Sequence, residues 1–478
     1  MERSQQTITL VVTATSGFLS TFMASSVNIA LPQIGEEFSL SAVLLGWIGL
    51  SYVLSMGALL MPMGRVADIR GRKAIYLTGS VAFAVFTLAC ALANSAPLLI
   101  VLRLLQGGAS ALQFSTATVL VILCYPPETR GRAIGLQVAG VYLGTTLGPV
   151  LGGVISHNAG WRSLFIIVGA AALLNSLVPF WKLRGVEWCE PRNARFDYLG
   201  SGIWVVGLSM FLVGLSYTPM GVGIALSAGG LMGLGSFFWW ENRAADPIFS
   251  VRLLRHNPIF AFTNLASFIN YAATFAMTFL LSLYLQYNRG LDAQLAGAVL
   301  VTGSLFQTIF SPVAGRVADR FRAPIVASLG MAVCVAGLTA LAFLGESSPW
   351  WYIIVFVGLL GTGFAFFATP MTHTVMGSVA PRYIGVAGAT LATMRVTGQS
   401  VSQAIATLVL ALVVGRHAIT VIDYPNVLTS VRITFAIFAV LCVFGVAASL
   451  TGQWRGRGSA TGAAGHTAHP AGGGGIES

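Results

Sequence analysis

Gly64-Arg65-Val66-Ala67-Asp68-Ile69-Arg70-Gly71-Arg72-Lys73 is a charged island between two long apolar runs. Its first five residues, Gly-Arg-Val-Ala-Asp, recur unchanged at Gly315-Arg316-Val317-Ala318-Asp319, again at the end of an apolar run. The repeat divides the chain into two related halves. The charges report which side of a membrane the island faces.

The chain has 478 residues, 56% of them hydrophobic and 9% charged. Soluble domains carry about 25% charged residues, so a soluble globular class is excluded. The runs between charged stretches reach about 20 apolar residues, enough for a helix to cross about 30 Å of hydrocarbon. The expected fold is therefore an all-α polytopic membrane protein. A net charge of +11 often signals nucleic acid, but here the cations sit in short segments between spans, as the positive-inside rule requires. The partners expected are membrane lipid and a small molecule, not nucleic acid. Cys90, Cys124, Cys189, Cys334 and Cys442 show no pairing or metal-ligand spacing, so no metal or other cofactor is expected. The first span is too long for a signal-peptide core and lacks a clear cleavage site.

Spans are expected near 7–32, 41–63, 74–93, 98–124, 133–155, 161–181, 198–217, 222–240, 259–286, 293–314, 324–344, 351–376, 385–414 and 427–451. These fourteen read as six plus two plus six. Residues 1–183 form a first six-helix bundle, 184–258 two extra helices with polar linkers, 259–453 a second bundle, and 454–478 a disordered tail rich in Gly, Ala, His and Ser. Of the 26 Lys and Arg, twenty fall on the island's side and only Arg162, Arg289, Arg416 and Arg432 on the other. That asymmetry places both termini and the island in the cytoplasm, in a multi-pass plasma-membrane protein. With both halves in one chain, a monomer is expected.

The island resembles the loop signature of the major facilitator superfamily, with Ile69 where that family usually has an Arg. The second copy, Gly315 to Arg320, keeps the first six positions and lacks the Gly-Arg-Lys end. Leu102-Arg103-Leu104-Leu105-Gln106-Gly107-Gly108 resembles the family's fourth-helix Arg signature. Gly144-Thr145-Thr146-Leu147-Gly148-Pro149-Val150-Leu151-Gly152-Gly153 resembles its drug-antiporter signature. Val27-Asn28-Ile29-Ala30-Leu31-Pro32 and Phe196-Asp197-Tyr198-Leu199-Gly200 are similar to stretches of the fourteen-span drug:H+ antiporter branch. The resemblance implies a major facilitator fold and a non-enzymatic, proton-driven exporter of hydrophobic or amphipathic compounds working by alternating access. It also implies that Gly64, Asp68, Arg70, Gly71, Arg72 and Lys73, with Gly315, Asp319 and Arg320, latch the two halves in one state, and that Arg103 serves coupling. No HExxH, GxSxG or GxxxxGK[ST] pattern of an enzyme is present.

Residue chemistry leaves several readings open. Asp68 either caps the following helix or pairs with Arg72. Arg103 and Arg395 are the two cations well inside apolar spans, where a charge is costly and faces protein or water. Arg103 either bonds helix carbonyls or takes part in coupling; Arg395 either binds an anionic substrate group or orders its span. Gly144, Gly148 and Gly152 recur every four residues, which puts them on one helix face for close packing. Pro149 removes a helix hydrogen bond and is expected to bend the span, and the resemblance implies that Gly153 and its neighbours seal the cavity. Met23 stands where the antiporter branch usually has an Asp, and none of the 15 acidic residues lies mid-span. Proton coupling would then use a boundary acid such as Asp68, a histidine such as His373, whose titration range suits a switch although a lone His is more often a hydrogen-bonded packing residue, or another route. Without a buried carboxylate, strongly cationic substrates are disfavoured, and transport without proton exchange is the alternative. A non-transporting membrane sensor would need a signalling segment that the tail does not offer. Ser25, Ser26, Asn28, Gln113, Tyr142, Asn270, Tyr271, Gln307, Arg395 and Gln399 are the polar candidates for a central cavity.

Overall fold

The structure is a computed structural model that describes residues 3–182, 196–244, 246–380 and 383–464. Among the described residues, fourteen helices are long and apolar enough to cross a membrane. They are α1 (Arg3–Phe38), α2 (Ala42–Arg70), α3 (Arg72–Ala91), α4 (Ala96–Cys124), α5 (Pro127–Ala159), α6 (Trp161–Lys182), α7 (Tyr198–Tyr217), α8 (Gly221–Glu241), α9 (Pro258–Asn288), α10 (Ala293–Arg320), α11 (Ala323–Leu341), α12 (Trp350–Gly377), α13 (Ile384–Val413) and α14 (Tyr424–Ala464). Every expected span corresponds to one of them.

The packing repeats with a six-helix period. In the first half α1 lies on α5 and α6, α2 on α4, and α3 on α4 and α6; in the second α9 lies on α13 and α14, α10 on α12, and α11 on α12 and α14. The halves meet reciprocally, α5 on α10 and α2 on α13, as parallel repeats related by an axis along the membrane normal should. The extra pair, α7 and α8, packs on itself through glycines: a methyl on Gly233 would stand 3.1 Å from Gly207 Cα, and one on Gly230 would overlap Phe211. It docks beside α2 and α13. Trp204 Nε1 donates to the Gly57 carbonyl at 3.4 Å, and Arg416 donates to the Ser216 carbonyl at 3.1 Å.

Most of the island is helix, not loop. α2 continues through Arg70, and α3 begins at Arg72. The break is one residue, Gly71, at φ 108°, a left-handed conformation that Gly adopts without Cβ strain. The second copy likewise ends a helix, at Arg320. Once a helix has left the hydrocarbon, polar side chains do not stop it; only a cap or a breaker does. For the same reason α14 runs beyond the expected end at 453, to Ala464. The rest of the tail, 465–478, the loop positions Arg184, Cys189, Arg192 and Arg195, and Arg382 lie outside the described residues.

α9 is the irregular span. Its helix breaks between Thr274 and Met277 without a proline, and it ends in a π-helical turn over Tyr284–Asn288. The Ala276 N–H at the break is taken up by Ser402 Oγ at 3.0 Å, so the interruption costs no orphaned donor.

Helix crossings in the first half depend on missing side chains. A methyl on Gly107 would overlap the Tyr52 carbonyl oxygen, so α4 crosses α2 backbone to backbone. Gly315, in contrast, has only Thr369 Cγ2 at 3.8 Å from its would-be Cβ. Gly107→Ala is expected to destabilise the protein by about 1–3 kcal/mol through overpacking. Gly315→Ala should leave stability unchanged, and thermal unfolding of the two variants in detergent makes the comparison.

Candidate functional site

In the island, Asp68 pairs with Arg72: Nε and Nη2 of Arg72 both reach Oδ1 at 2.7 Å. α3 has no side-chain cap, so the capping alternative falls away. Arg65 Nη2 lies 4.0 Å from Asp246 Oδ1 in the segment after α8, which places the extra pair's linker against the island. In the second copy, Asp319 and Arg320 are exposed, and no ion pair at either is found among the described residues. These are all half-exposed or exposed contacts, each of which contributes about 0–1 kcal/mol. They are weak enough to exchange partners when the halves move.

Arg103 is 1% exposed and forms no ion pair among the described residues. Instead its Nη1 donates to Gln106 Oε1 at 2.6 Å and its Nε to the Ile48 carbonyl at 3.3 Å, while the guanidinium lies 4.4 Å from the centre of the Tyr52 ring. Gln106 passes the chain on to Thr87 Oγ1 at 2.7 Å. The Tyr52 hydroxyl closes a ring of three with Ser20 and Ser110, at 2.7, 2.9 and 2.7 Å. The buried cation is thus held by neutral acceptors and an aromatic face. The Gly107 crossing is what brings Tyr52 beneath it.

Gly144, Gly148 and Gly152 all face α1, as their spacing predicts. A methyl on Gly144 would overlap the Phe18 carbonyl, and one on Gly148 would stand 2.6 Å from Ser25 Cβ. Gly153 points elsewhere, onto the Ala293 carbonyl of α10, and Gly297 of α10 lies in turn on the Pro149 carbonyl. Pro149 removes the N–H that would bond the Thr145 carbonyl four residues back; Ser25 Oγ donates to that carbonyl at 3.3 Å. Ser26 Oγ donates to the Gly148 carbonyl at 3.0 Å. Both serines are therefore used at the α1–α5 contact rather than offered to a central space.

The other cavity candidates divide in the same way. Asn270 is fully buried against the thiols of Cys334 and Cys442 inside the second bundle. Gln113 is buried in the first bundle, its Oε1 without a partner. Asn28 sits between the halves, where it and Gln403 both approach Gly49. Gln307 and Gln399 are half-buried, with side chains that bond nothing among the described residues. Arg395 is half-buried, bonds Thr372 Oγ1 at 2.5 Å and lies 5.6 Å from the centre of the Tyr271 ring; its Nε has no partner. Tyr142 of α5 is close enough to interact electrostatically with that guanidinium. Tyr271 and Arg395 are thus in contact, and Tyr142 of the first half lies within electrostatic range of the same guanidinium. His373, next to Thr372 in sequence, is exposed and bonds nothing among the described residues.

Contacts between the halves concentrate at the end away from the island. Besides Gly153 and Gly297, Gly46 packs on Thr407, Ser400 Oγ donates to the Val53 carbonyl at 2.8 Å, and Gln286 Nε2 donates to the Ile29 carbonyl at 3.0 Å. Ser41 and Ala418 pair across the halves as an isolated β-bridge. Midway, Thr146 and Thr308 hydroxyls meet at 3.4 Å. Toward the island nothing lies within 4 Å of a methyl built on Gly131 or Gly135 of α5, or on Gly377 or Gly385 of the second half. The described contacts between the halves thus lie midway and at the far end, which they close. Gln286, Thr372, Ser400 and Thr308 had no motif to mark them; only their place on adjoining helix faces does.

Two six-helix bundles packed as parallel repeats, meeting through α5 with α10 and α2 with α13, have the architecture of a membrane transporter. The family model of the Major Facilitator Superfamily matches residues 13–403 and 263–472, and the chain belongs to that family. It is 30% identical over 414 residues to the multidrug resistance protein Stp of Mycobacterium tuberculosis, an alignment covering 85% of this chain and 76% of Stp. It is 29% identical to the methylenomycin A resistance protein of Streptomyces coelicolor, over 82% of this chain and 83% of that protein. The crystal structure of a bacterial homologue of the human lysosomal transporter Spinster, inward-facing and unoccupied, superposes with a TM-score of 0.68 at 15% identity, covering 95% of this chain and 98% of that one.

The far-end closure depends on Gly297 having no side chain. In Gly297→Val the branched side chain overlaps the Pro149 carbonyl, so the closed arrangement is expected to give way to one open at the far end. Spin labels at Asn158 and Glu346, exposed at that end of the two halves, should then separate further than in the unsubstituted protein by electron–electron double resonance.

Proposed function

We propose that this transporter exports hydrophobic or amphipathic small molecules from the cytoplasm by alternating access, driven by protons. The observation that carries the reading is the drug-antiporter stretch of α5, whose glycines are spent on α1 and on the far-end contact with α10. The similarity to two resistance proteins supports the same substrate class. The charge asymmetry supports a cytoplasmic island and cytoplasmic termini in a plasma membrane. With that orientation the far-end contacts between the halves lie on the outer side, which supports reading this arrangement as the state in which an exporter loads. In this reading the two bundles, 1–183 and 259–453, move as bodies joined by 184–258. The protein acts as a monomer among membrane lipids.

Met23, 0% exposed, occupies the place of the usual first-helix acid. His373 is exposed and unbonded, and Arg103 rests on neutral partners. Asp68, half-exposed and held by Arg72, is then the carboxylate best placed to meet both solvent protons and the moving parts. When the island end closes, Asp68 is positioned to leave Arg72 for the second half, which would bias the two states. A facilitator that ignores protons is the competing reading.

Proteoliposomes loaded with a panel of amphipathic compounds, with and without an imposed pH gradient, test both. Export predicts uphill movement that a protonophore abolishes; transport indifferent to the gradient would favour the facilitator. Asp68→Asn is expected to slow transport at least about tenfold, the effect of losing about 1.4 kcal/mol of bias, with its circular dichroism unchanged. An unaltered rate in that variant would remove the latch.

A further inference from the structure

Among the described residues, Arg65, Arg130 and Arg395 each bury an Nε–H without an acceptor, but of the three only Arg395 does so in the middle of a span. It lies within α13 of the second bundle, 384–413. The described ion pairs all belong to residues near the ends of the bundle, and none reaches Arg395. Among the described residues its one hydrogen bond, Nη2 to Thr372 Oγ1 at 2.5 Å, is to a neutral hydroxyl, and its Nε–H is buried without an acceptor. Arg103 shows what a structural arginine looks like in this fold: fully buried, with Gln106, a backbone carbonyl and a tyrosine face completing its surroundings. Arg395 has a comparable tyrosine face, Tyr271, but an unfinished donor set.

An unpartnered guanidinium N–H away from bulk water is expensive to keep. It is kept most cheaply where an acceptor arrives from outside the chain. The surroundings specify that acceptor. Arg395 and Gln399 are four residues apart on one helix and so share a face, and the half-buried Gln399 amide bonds nothing among the described residues. Tyr271 is set edge-on to Phe364, ring centres 5.3 Å apart, which makes an aromatic wall beside the cation. Tyr142 of the opposite half lies within electrostatic range of the guanidinium. No acidic residue of the chain lies mid-span to neutralise the charge.

We propose that Arg395 is a substrate anchor, and that this transporter recognises amphipathic organic anions: an aromatic body against Tyr271 and Phe364, with a carboxylate or comparable oxyanion accepting from the Arg395 guanidinium. Gln399 supplies a second, neutral contact. The inference rests on the exporter reading only for direction. Anion recognition holds for either direction of transport and with or without protons. It also accounts for the empty acid position at Met23. A cationic substrate needs a buried carboxylate, and an anionic one is better served without it.

Three dansyl probes of one body and different charge test the assignment: dansylglycine is anionic, dansylamide neutral and dansylcadaverine cationic. Their fluorescence rises on entering an apolar site, so binding to detergent-purified protein is read without any transport step. Dansylglycine is expected to bind at least about tenfold tighter than dansylamide, the difference a charge-assisted hydrogen bond confers, and dansylcadaverine weakest. Arg395→Gln should erase the difference between dansylglycine and dansylamide while leaving dansylamide binding in place. Arg395→Lys should keep the preference in reduced form, since it keeps the charge and loses the planar fork. The order among the three probes on the unsubstituted protein already decides the matter if Arg395→Gln does not fold. Equal or inverted affinities, or no binding of dansylglycine, overturn the proposal, as does a preference that survives in Arg395→Gln. Export fails separately, if proteoliposomes accumulate none of the probes that bind.

Discussion

The approach of helix backbones at glycine is the constraint on which this structure depends. Spans that share a hydrocarbon solvent gain nothing from hiding apolar surface from one another, so their association relies on close packing and polar contacts. Gly107 lets α4 touch the α2 backbone at Tyr52, Gly144 and Gly148 let α5 lie along α1, and Gly153 and Gly297 let the two halves touch. The first two contacts lie within a bundle and make it a body. The third lies between bundles and is reversible in principle, because what it joins can separate without unfolding either half. The same small residue therefore does two different jobs, distinguished only by which helix faces it.

Buried charge follows from that packing. Close crossing of α2 and α4 places the Tyr52 ring under Arg103, and the guanidinium then needs only Gln106 and one carbonyl to be satisfied. α13 lacks such an arrangement around Arg395. One of its glycines, Gly398, lies on the α9 backbone at Phe268 and Ala272 and on the Tyr271 Cβ, which brings the Tyr271 ring to the cation but leaves the Nε–H facing no acceptor. Two arginines in equally apolar runs thus have different surroundings, and the difference arises from how the neighbouring helices cross.

Much of this was legible in the sequence, and what was missed has a common cause. Span number, the six-plus-two-plus-six order and the two-half plan follow from run length and from the repeated Gly-Arg-Val-Ala-Asp, because hydrocarbon thickness and charge cost act on sequence directly. The face toward which a polar residue points is set by tertiary packing, which no run length encodes. Ser25 and Ser26 read as cavity residues and instead bond α5 carbonyls, one of them the carbonyl orphaned by Pro149. Asn270 reads likewise and lies against two cysteines, while its neighbour Tyr271 does face Arg395. The island reads as a loop and is two helix ends around Gly71. The break in α9 carries no proline and is visible only through the Ser402 hydroxyl that caps it.

The polar site and the closed end are linked by the helices they share. α5 contributes Tyr142 to the site and Pro149 and Gly153 to the closure, two to three turns apart on one rod; α13 contributes Arg395 to the site and Ser400 and Thr407 to the closure. A ligand bridging Arg395 and Tyr142 would touch both halves at once, and any rotation of one half against the other would change that bridge. A ligand shifts such an equilibrium only through its different affinity for the two states. An anion is well suited to this, because its attraction to a guanidinium in a dry, closed site exceeds that in a wet, open one. On the proposed reading the chain carries a cation without its counter-charge so that the substrate supplies it. The site is then complete only when occupied, and the energy of completing it is available to move the halves.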